Sequence, residues 1–145
     1  MKISAKGRYA VRCLVNLLLT RESSGEDIVS VSRISIQEGV SQNYIEQLFL
    51  RLKRSGILKS IRGRSGGYWL ARDAGQVTVR EIIESVEGKF VEDDKGLPGV
   101  CASKYLWDVI AGNIRDMLDN MTLQELCDIA RRDLGDELSN RLDCR

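Results

Sequence analysis

Residues 41–70 read "SQNYIEQLFLRLKRSGILKSIRGRSGGYWL", and this stretch decides the fold. Ser41 is an N-cap and Gly56 a helix stop, so the first half predicts one helix. On its wheel Ile45, Leu48, Phe49 and Leu52 share the inward face. The outward arc holds Asn43, Gln47, Leu50, Arg51 and Arg54, with Tyr44 and Glu46 at its flanks. Two β-prone runs follow, "ILKSIRG" and "GGYWLA", around "GRSG", which is a hairpin signal. Gly63, Gly66 and Gly67 permit positive φ and close backbone approach, while Arg62 and Arg64 project from the tip. Tyr68 and Trp69 point to opposite faces of the strand, so one of them anchors the hairpin to the core.

Upstream, "SVSRISIQE" (residues 30–38) predicts a short helix with Val31, Ile34, Ile36 and Val40 apolar, ended by Gly39. Before it, "SAKGRYAVRCLVNLLLT" has Ser4 as N-cap and is apolar around most of its circumference, apart from a stripe of Arg8, Arg12 and Asn16. "RESSGED" reads as the loop between them. Three helices and a hairpin, with a tight glycine turn before the third helix, make a winged helix-turn-helix.

That architecture has a chemistry. A helix fits the major groove of DNA, where polar, flexible side chains read base edges. Asn43, Gln47 and Arg51 are such side chains, and Ser41 and Tyr44 sit where a helix N-terminus attracts phosphate. Arg62 and Arg64, with Gly66 and Gly67 shaping the turn, suit a narrow minor groove, whose negative potential draws arginines. Charge agrees. Residues 1–72 hold 13 basic against 5 acidic side chains, and residues 73–145 hold 9 against 16. An ordinary amphipathic helix with a solvated face is the bland alternative, and a protein-interaction module using the same face is another.

Downstream, Thr78-x-x-Glu81 is a capping box opening a helix to about Glu87, which Gly88 ends. Residues 88–102, with Glu92, Asp93, Asp94 and Pro98, form the one long irregular segment. A long helix runs from Ser103 to about Asn120, with Leu106, Trp107, Ile110, Ile114, Met117 and Leu118 as its apolar stripe. Thr122-x-x-Glu125 opens a shorter helix, and from Gly135 the chain reads as a polar, weakly ordered tail. The fold class is mainly α with a small β-hairpin. The expected organisation is a winged helix-turn-helix over 1–88, a sensor-type loop over 89–102, a dimerisation helix and short helix over 103–134, and a tail over 135–145.

Composition narrows the function classes. With 43% hydrophobic and 30% charged residues the 145-residue chain is globular, and it has no run long enough to span a bilayer, so we expect it in the cytoplasm with no membrane contact. No histidine is present, which removes Ser-His and Cys-His catalysis and imidazole ligation. The glycine tract is not a nucleotide P-loop, because G-x-x-x-x-G-K-[ST] is absent and no base, nucleophile or metal set accompanies it. The chain is not expected to be an enzyme. Cys13, Cys101, Cys127 and Cys144 lie far apart, with neither zinc-site nor disulfide spacing.

"MKISAKGRYAV", the stretch from Tyr44 to Ala74, "TVREIIESVEG", "LW" in the long helix and "MTLQEL" after it together resemble the Rrf-two family of winged-helix transcription regulators. The resemblance runs from Met1 to about Arg132. It implies a homodimer on palindromic operator DNA, with Ser41, Asn43, Tyr44, Glu46 and Gln47 at groove-reading positions and Arg62 as the wing arginine in the minor groove. It further implies that helix 103–120 pairs two protomers, setting their recognition helices about one DNA turn (~34 Å) apart. Arg64 and Leu50 depart from the family pattern, where a proline and a small polar residue are common, so no operator sequence is carried over.

The family's iron–sulfur members hold three cysteines in the loop before the long helix. This chain has one, Cys101, at the place of the third, and Lys104 where some members have a ligating histidine. A cluster normally takes four ligands. Cys101 and Cys13 are the remaining metal candidates, and Cys13 and Cys127 otherwise read as small buried hydrophobes. The chain therefore resembles the cluster-free, CymR-type members in its sensor loop. The expected function is a DNA-binding regulator, a repressor, of sulfur, cysteine or redox-linked metabolism. Its signal is expected to be cysteine status, a modification of Cys101, or a cysteine-biosynthesis enzyme such as O-acetylserine thiol-lyase. Cys101 precedes a helix N-terminus, which lowers a thiol pKa, against the opposing acids 92–94. The alternative is an iron–sulfur-sensing regulator of the same family using Cys101 with non-standard ligands.

Overall fold

The computed structural model describes residues 4–89 and 102–143, with side chains described as far as Gly135. Element order is α1 (Ala5–Ser24), α2 (Val31–Glu38), α3 (Gln42–Arg54), β1 (Leu58–Ile61), β2 (Gly67–Leu70), a short 3-10 turn (Ala74–Gln76), α4 (Val79–Glu87), α5 (Ala102–Asn120) and α6 (Leu123–Asp143). This is the expected mainly helical fold with one antiparallel hairpin.

Local chemistry sets the ends. Ser4, Ser30 and Ser41 each accept a backbone N–H through the side chain at the start of α1, α2 and α3. Thr78 and Glu81 form the reciprocal capping box of α4, and Thr122 with Glu125 repeats it at α6. Gly25 and Gly39 end α1 and α2 in left-handed conformation. The loop after α1 therefore begins at Gly25 rather than Arg21, because Arg21–Ser24 complete the last turn and a left-handed glycine stops it.

The core is built by α1, α3 and α4. Leu14, Leu17, Ile45, Phe49, Leu52, Ile57, Ile82 and Val77 are fully buried there, joined by Cys13, Leu123 and Cys127. The predicted inward face of α3 is buried throughout. On α2, Val31 and Ile34 enter the core and Val40 packs against it, but Ile36 is 80% exposed. An eight-residue helix docked along one stripe leaves that position outside the apolar arc.

The hairpin pairs Leu58 with Leu70 and Ile61 with Gly67. A third strand segment joins it: Val29 N–H donates to the Tyr68 carbonyl at 3.1 Å, and Tyr68 N–H donates to Val29 O at 2.9 Å. A second stitch fixes the C-terminal helices. Val79 N–H donates to Met121 O, and Leu123 N–H to Val77 O, both at 2.8 Å. Arg131 of α6 pairs with Glu22 of α1, its Nε at 2.8 Å from Oε2. The α5–α6 junction is thus bolted to the start of α4.

Two expectations are corrected. Helix α6 continues through Gly135 to Asp143, where a weakly ordered tail was expected. A single glycine costs a helix about 1 kcal/mol, which the helix-forming residues on both sides absorb. Leu118, assigned to the dimer stripe, is buried at 7% exposure against Val79 and Ile83 of its own chain. The loop bearing Cys101, from residue 90 to 101, and Cys144 lie outside the described residues. No helix among the described residues is long and apolar enough to cross a membrane.

Candidate nucleic-acid interface

Burial of Ile45, Leu48, Phe49 and Leu52 turns the opposite side of α3 to solvent. Asn43, Glu46, Gln47 and Leu50 lie exposed along it, and the three polar ones make no hydrogen bond to the described residues. Their donors and acceptors are free, as base-edge recognition needs. Ser41 differs. Its Oγ accepts the Tyr44 N–H at 3.3 Å, leaving only its hydroxyl proton to give to a phosphate. The Tyr44 ring is half-buried, standing edge-on to Tyr9 of α1 with centroids 5.9 Å apart. It fixes the helix entry, and its phenol is the part left for contact.

Arg51 is placed differently from its neighbours. It lies on the exposed arc, but Nη1 donates to the Val86 carbonyl at 3.0 Å. The last carbonyls of a helix lack intrahelical partners, and a cation there is favoured by the helix dipole. Arg51 thus ties α3 to the end of α4. The neighbouring residue works on α1: Glu87 Oε1 accepts from Ser4 Oγ at 2.5 Å and Gly7 N–H at 2.9 Å.

The wing stands beside α3. Lys53 Nζ donates to Ser60 Oγ at 2.8 Å, bridging helix and strand. Tyr68 packs edge-on against the fully buried Phe49, 5.0 Å between centroids, and is the aromatic that anchors the hairpin. Burial pushes its phenol pKa up, with Glu46 adding to this and Arg62 opposing it. Only Gly63 has the expected positive φ, at 122°. Gly66 and Gly67 are glycines for space: a Cβ on Gly66 would lie 2.4 Å from Ile61 O, and on Gly67 2.2 Å from Val29 O. Arg62 and Arg64 are exposed, with no acidic partner among the described residues. Between wing and helix runs an open groove of about 550 Å³, walled by Gln42, Glu46, Leu50 and Lys53 on one side and Ser60, Ile61, Arg62 and Arg64 on the other.

A helix face with unspent polar groups thus lies one groove away from two arginines that have no acidic partner among the described residues. The model of the Rrf2 family, described as an iron-dependent transcriptional regulator, matches residues 3–129. The chain belongs to the Rrf2 family. It is a DNA-binding transcription regulator of winged-helix fold. It is 39% identical over 132 residues to the HTH-type transcriptional regulator IscR of Cronobacter sakazakii, covering 87% of this chain and 80% of the relative. IscR of Citrobacter koseri is 37% identical over 132 residues, with 87% and 79% covered. Among solved structures, CymR, the global cysteine regulator of B. subtilis, superposes with a TM-score of 0.78 at 32% identity, over 89% of this chain and 98% of that one. The IscR of T. potens gives a TM-score of 0.73 at 33% identity, over 90% and 88%.

Sequence reasoning missed three Rrf2-chain features at this site: the Val29 strand segment, the Lys53–Ser60 bridge and the Arg51–Val86 contact. The first had a signal, since "DIV" is a short β-prone run ahead of the α2 cap. The other two join elements that only the packed fold brings together.

Among the described residues no group of three or more acidic or cysteine side chains could hold a metal. Cys13 is fully buried, and burial, with Glu38 adding, pushes its thiol up to about 12. Burial likewise raises Cys127 to about 11. Both thiols are sealed in the core without a further set of ligands beside them among the described residues, so they do not form a cluster site in this fold.

Proposed function

We propose that this Rrf2 protein is a homodimeric repressor, binding a palindromic operator and serving sulfur, cysteine or redox-linked metabolism. Helix 41–55 reads the major groove through Asn43, Glu46 and Gln47. The wing, 60–70, sets Arg62 and Arg64 into the adjacent minor groove. What carries this reading is the unspent polar face of α3 lying beside wing arginines that have no acidic partner among the described residues.

Dimerisation is supported by apolar surface that none of the described residues covers. Tyr105, Leu106, Trp107 and Met117 of α5 are 73%, 52%, 57% and 57% exposed. Ile110 is half-buried, and Ile114 packs partly against the chain's own Val79–Ile83–Leu118 cluster. A second apolar groove of about 630 Å³ runs between α1 and α6, lined by Val11, Val15, Leu19, Ile129 and Leu134. Contiguous apolar surface of this kind marks a protein contact, and a second protomer would cover both.

For the signal, the likeness to a global cysteine regulator supports cysteine status, sensed through modification of Cys101 or a cysteine-biosynthesis enzyme as partner. A second reading, a cluster-sensing regulator using Cys101, is favoured by the family's iron-dependent description and the IscR relatives. Two experiments test these readings. Enrichment of bound duplexes from a random library should return one palindrome, and failure to enrich any sequence would refute the DNA-reading role. Anaerobic purification with absorption, iron and sulfide analysis should give a colourless, iron-free dimer, whereas stoichiometric iron and sulfide would establish the second reading.

A further inference from the structure

Leu50 is the only apolar side chain on the exposed arc of α3, and it is 43% exposed. It lies one turn beyond Glu46 and Gln47, at the three- and four-residue spacing that puts all three on one face. Across the groove stands Ile61, 54% exposed, the last residue of β1 and the immediate neighbour of Arg62. A lone surface leucine needs no explanation. Here Leu50 and Ile61 are the exposed aliphatics of a groove that also takes in the buried Val31 and the half-buried Tyr68, on the face proposed above to meet DNA.

Resting on the DNA-reading role proposed above, we infer that Leu50, backed by Ile61, is a specificity residue that recognises the C5-methyl group of thymine. In the major groove that methyl is the one apolar group a base pair presents. Leu50 has no hydrogen-bonding atom, so it favours a base pair by burying this methyl, next to the positions read by Glu46 and Gln47. Ile61 closes the contact from the wing side and shields it from water. Burying one methyl contributes about fourfold in affinity per half-site.

The test uses the full-length dimer and the duplex it enriches. Each thymine is replaced in turn by deoxyuridine, which removes the methyl and keeps every hydrogen-bonding group. The wild type should lose about fourfold at one position per half-site. Leu50→Ser should bind thymine and uracil duplexes equally at that position, and Ile61→Thr should show reduced discrimination. Both substitutions are at exposed sites, and circular dichroism checks that each variant is folded. If methyl removal is neutral everywhere, or Leu50→Ser discriminates as the wild type does, the inference is wrong while the DNA-reading role stands. If the wild type enriches no duplex at all, both fail.

Discussion

Arg51 Nη1 lies 3.0 Å from the backbone carbonyl of Val86, so the recognition helix is fastened to the last turn of α4 by a side chain on its outer arc. Glu87, the next residue, caps the N-terminus of α1 through Ser4 and Gly7. One short end of α4 therefore holds both α3 and the start of α1. Arg51→Ala should lower affinity for every duplex to a similar extent and cost about 1 kcal/mol of stability. Binding curves on cognate and mismatched duplexes, with chemical denaturation, check this. A change of base preference at one position with unaltered stability would show that Arg51 reads the groove instead.

Gly67 sits where a Cβ would be 2.2 Å from the Val29 carbonyl. Because that carbonyl belongs to a paired strand segment, Gly67→Ala forces backbone rather than a side chain to move. The expected cost is about 2–3 kcal/mol, read by denaturant unfolding. An alanine variant as stable as wild type would mean that the Val29–Tyr68 pairing is dispensable.

The buried thiols make stability fall in alkali. Cys13 and Cys127 keep their protons in the fold up to about 12 and about 11, against an ordinary value of 9.0. The unfolded chain gives those protons up first, so stability is intact below pH 9 and declines as pH rises toward 11. The slope is about 1.4 kcal/mol per pH unit for each thiol. Cys13→Ala with Cys127→Ala should flatten the decline. At pH 8 neither thiol should react with a disulfide reagent until the protein unfolds; rapid reaction of either in native protein would contradict its burial.

Trp107 and Leu118 share helix α5, one exposed and the other buried in its own chain. Trp107→Asp should convert a dimer to a folded monomer by sedimentation, since its ring is exposed in the single chain. Leu118→Ala should instead cost about 2–4 kcal/mol of folding stability whatever the assembly state. A Trp107→Asp variant that remains dimeric would remove α5 as the interface.

The division between what was legible and what was not follows from range. Caps, glycine stops, the inward face of α3 and the hairpin are written in residues a few positions apart, and their physics is local. Leu118 looked like its neighbours on the stripe because periodicity finds an apolar face without saying who covers it. The start of α4, bolted to the α5–α6 junction through Val79 and Met121, decides that. Gly66 and Gly67 resembled turn glycines, yet the constraint on each is a carbonyl across space. Arg51 carries the right chemistry for a base edge, and only the approach of α4 reveals that one of its N–H groups goes to the Val86 carbonyl.

Arg62, exposed and without an acidic partner among the described residues, carries the claim that this hairpin is a DNA-binding wing. The direct measurement is the salt dependence of operator binding for the wild type and Arg62→Ala, beside the sedimentation of each. The account predicts that the variant stays dimeric, binds more weakly, and loses about one unit of slope in log affinity against log salt per protomer. An unchanged affinity and slope would contradict it.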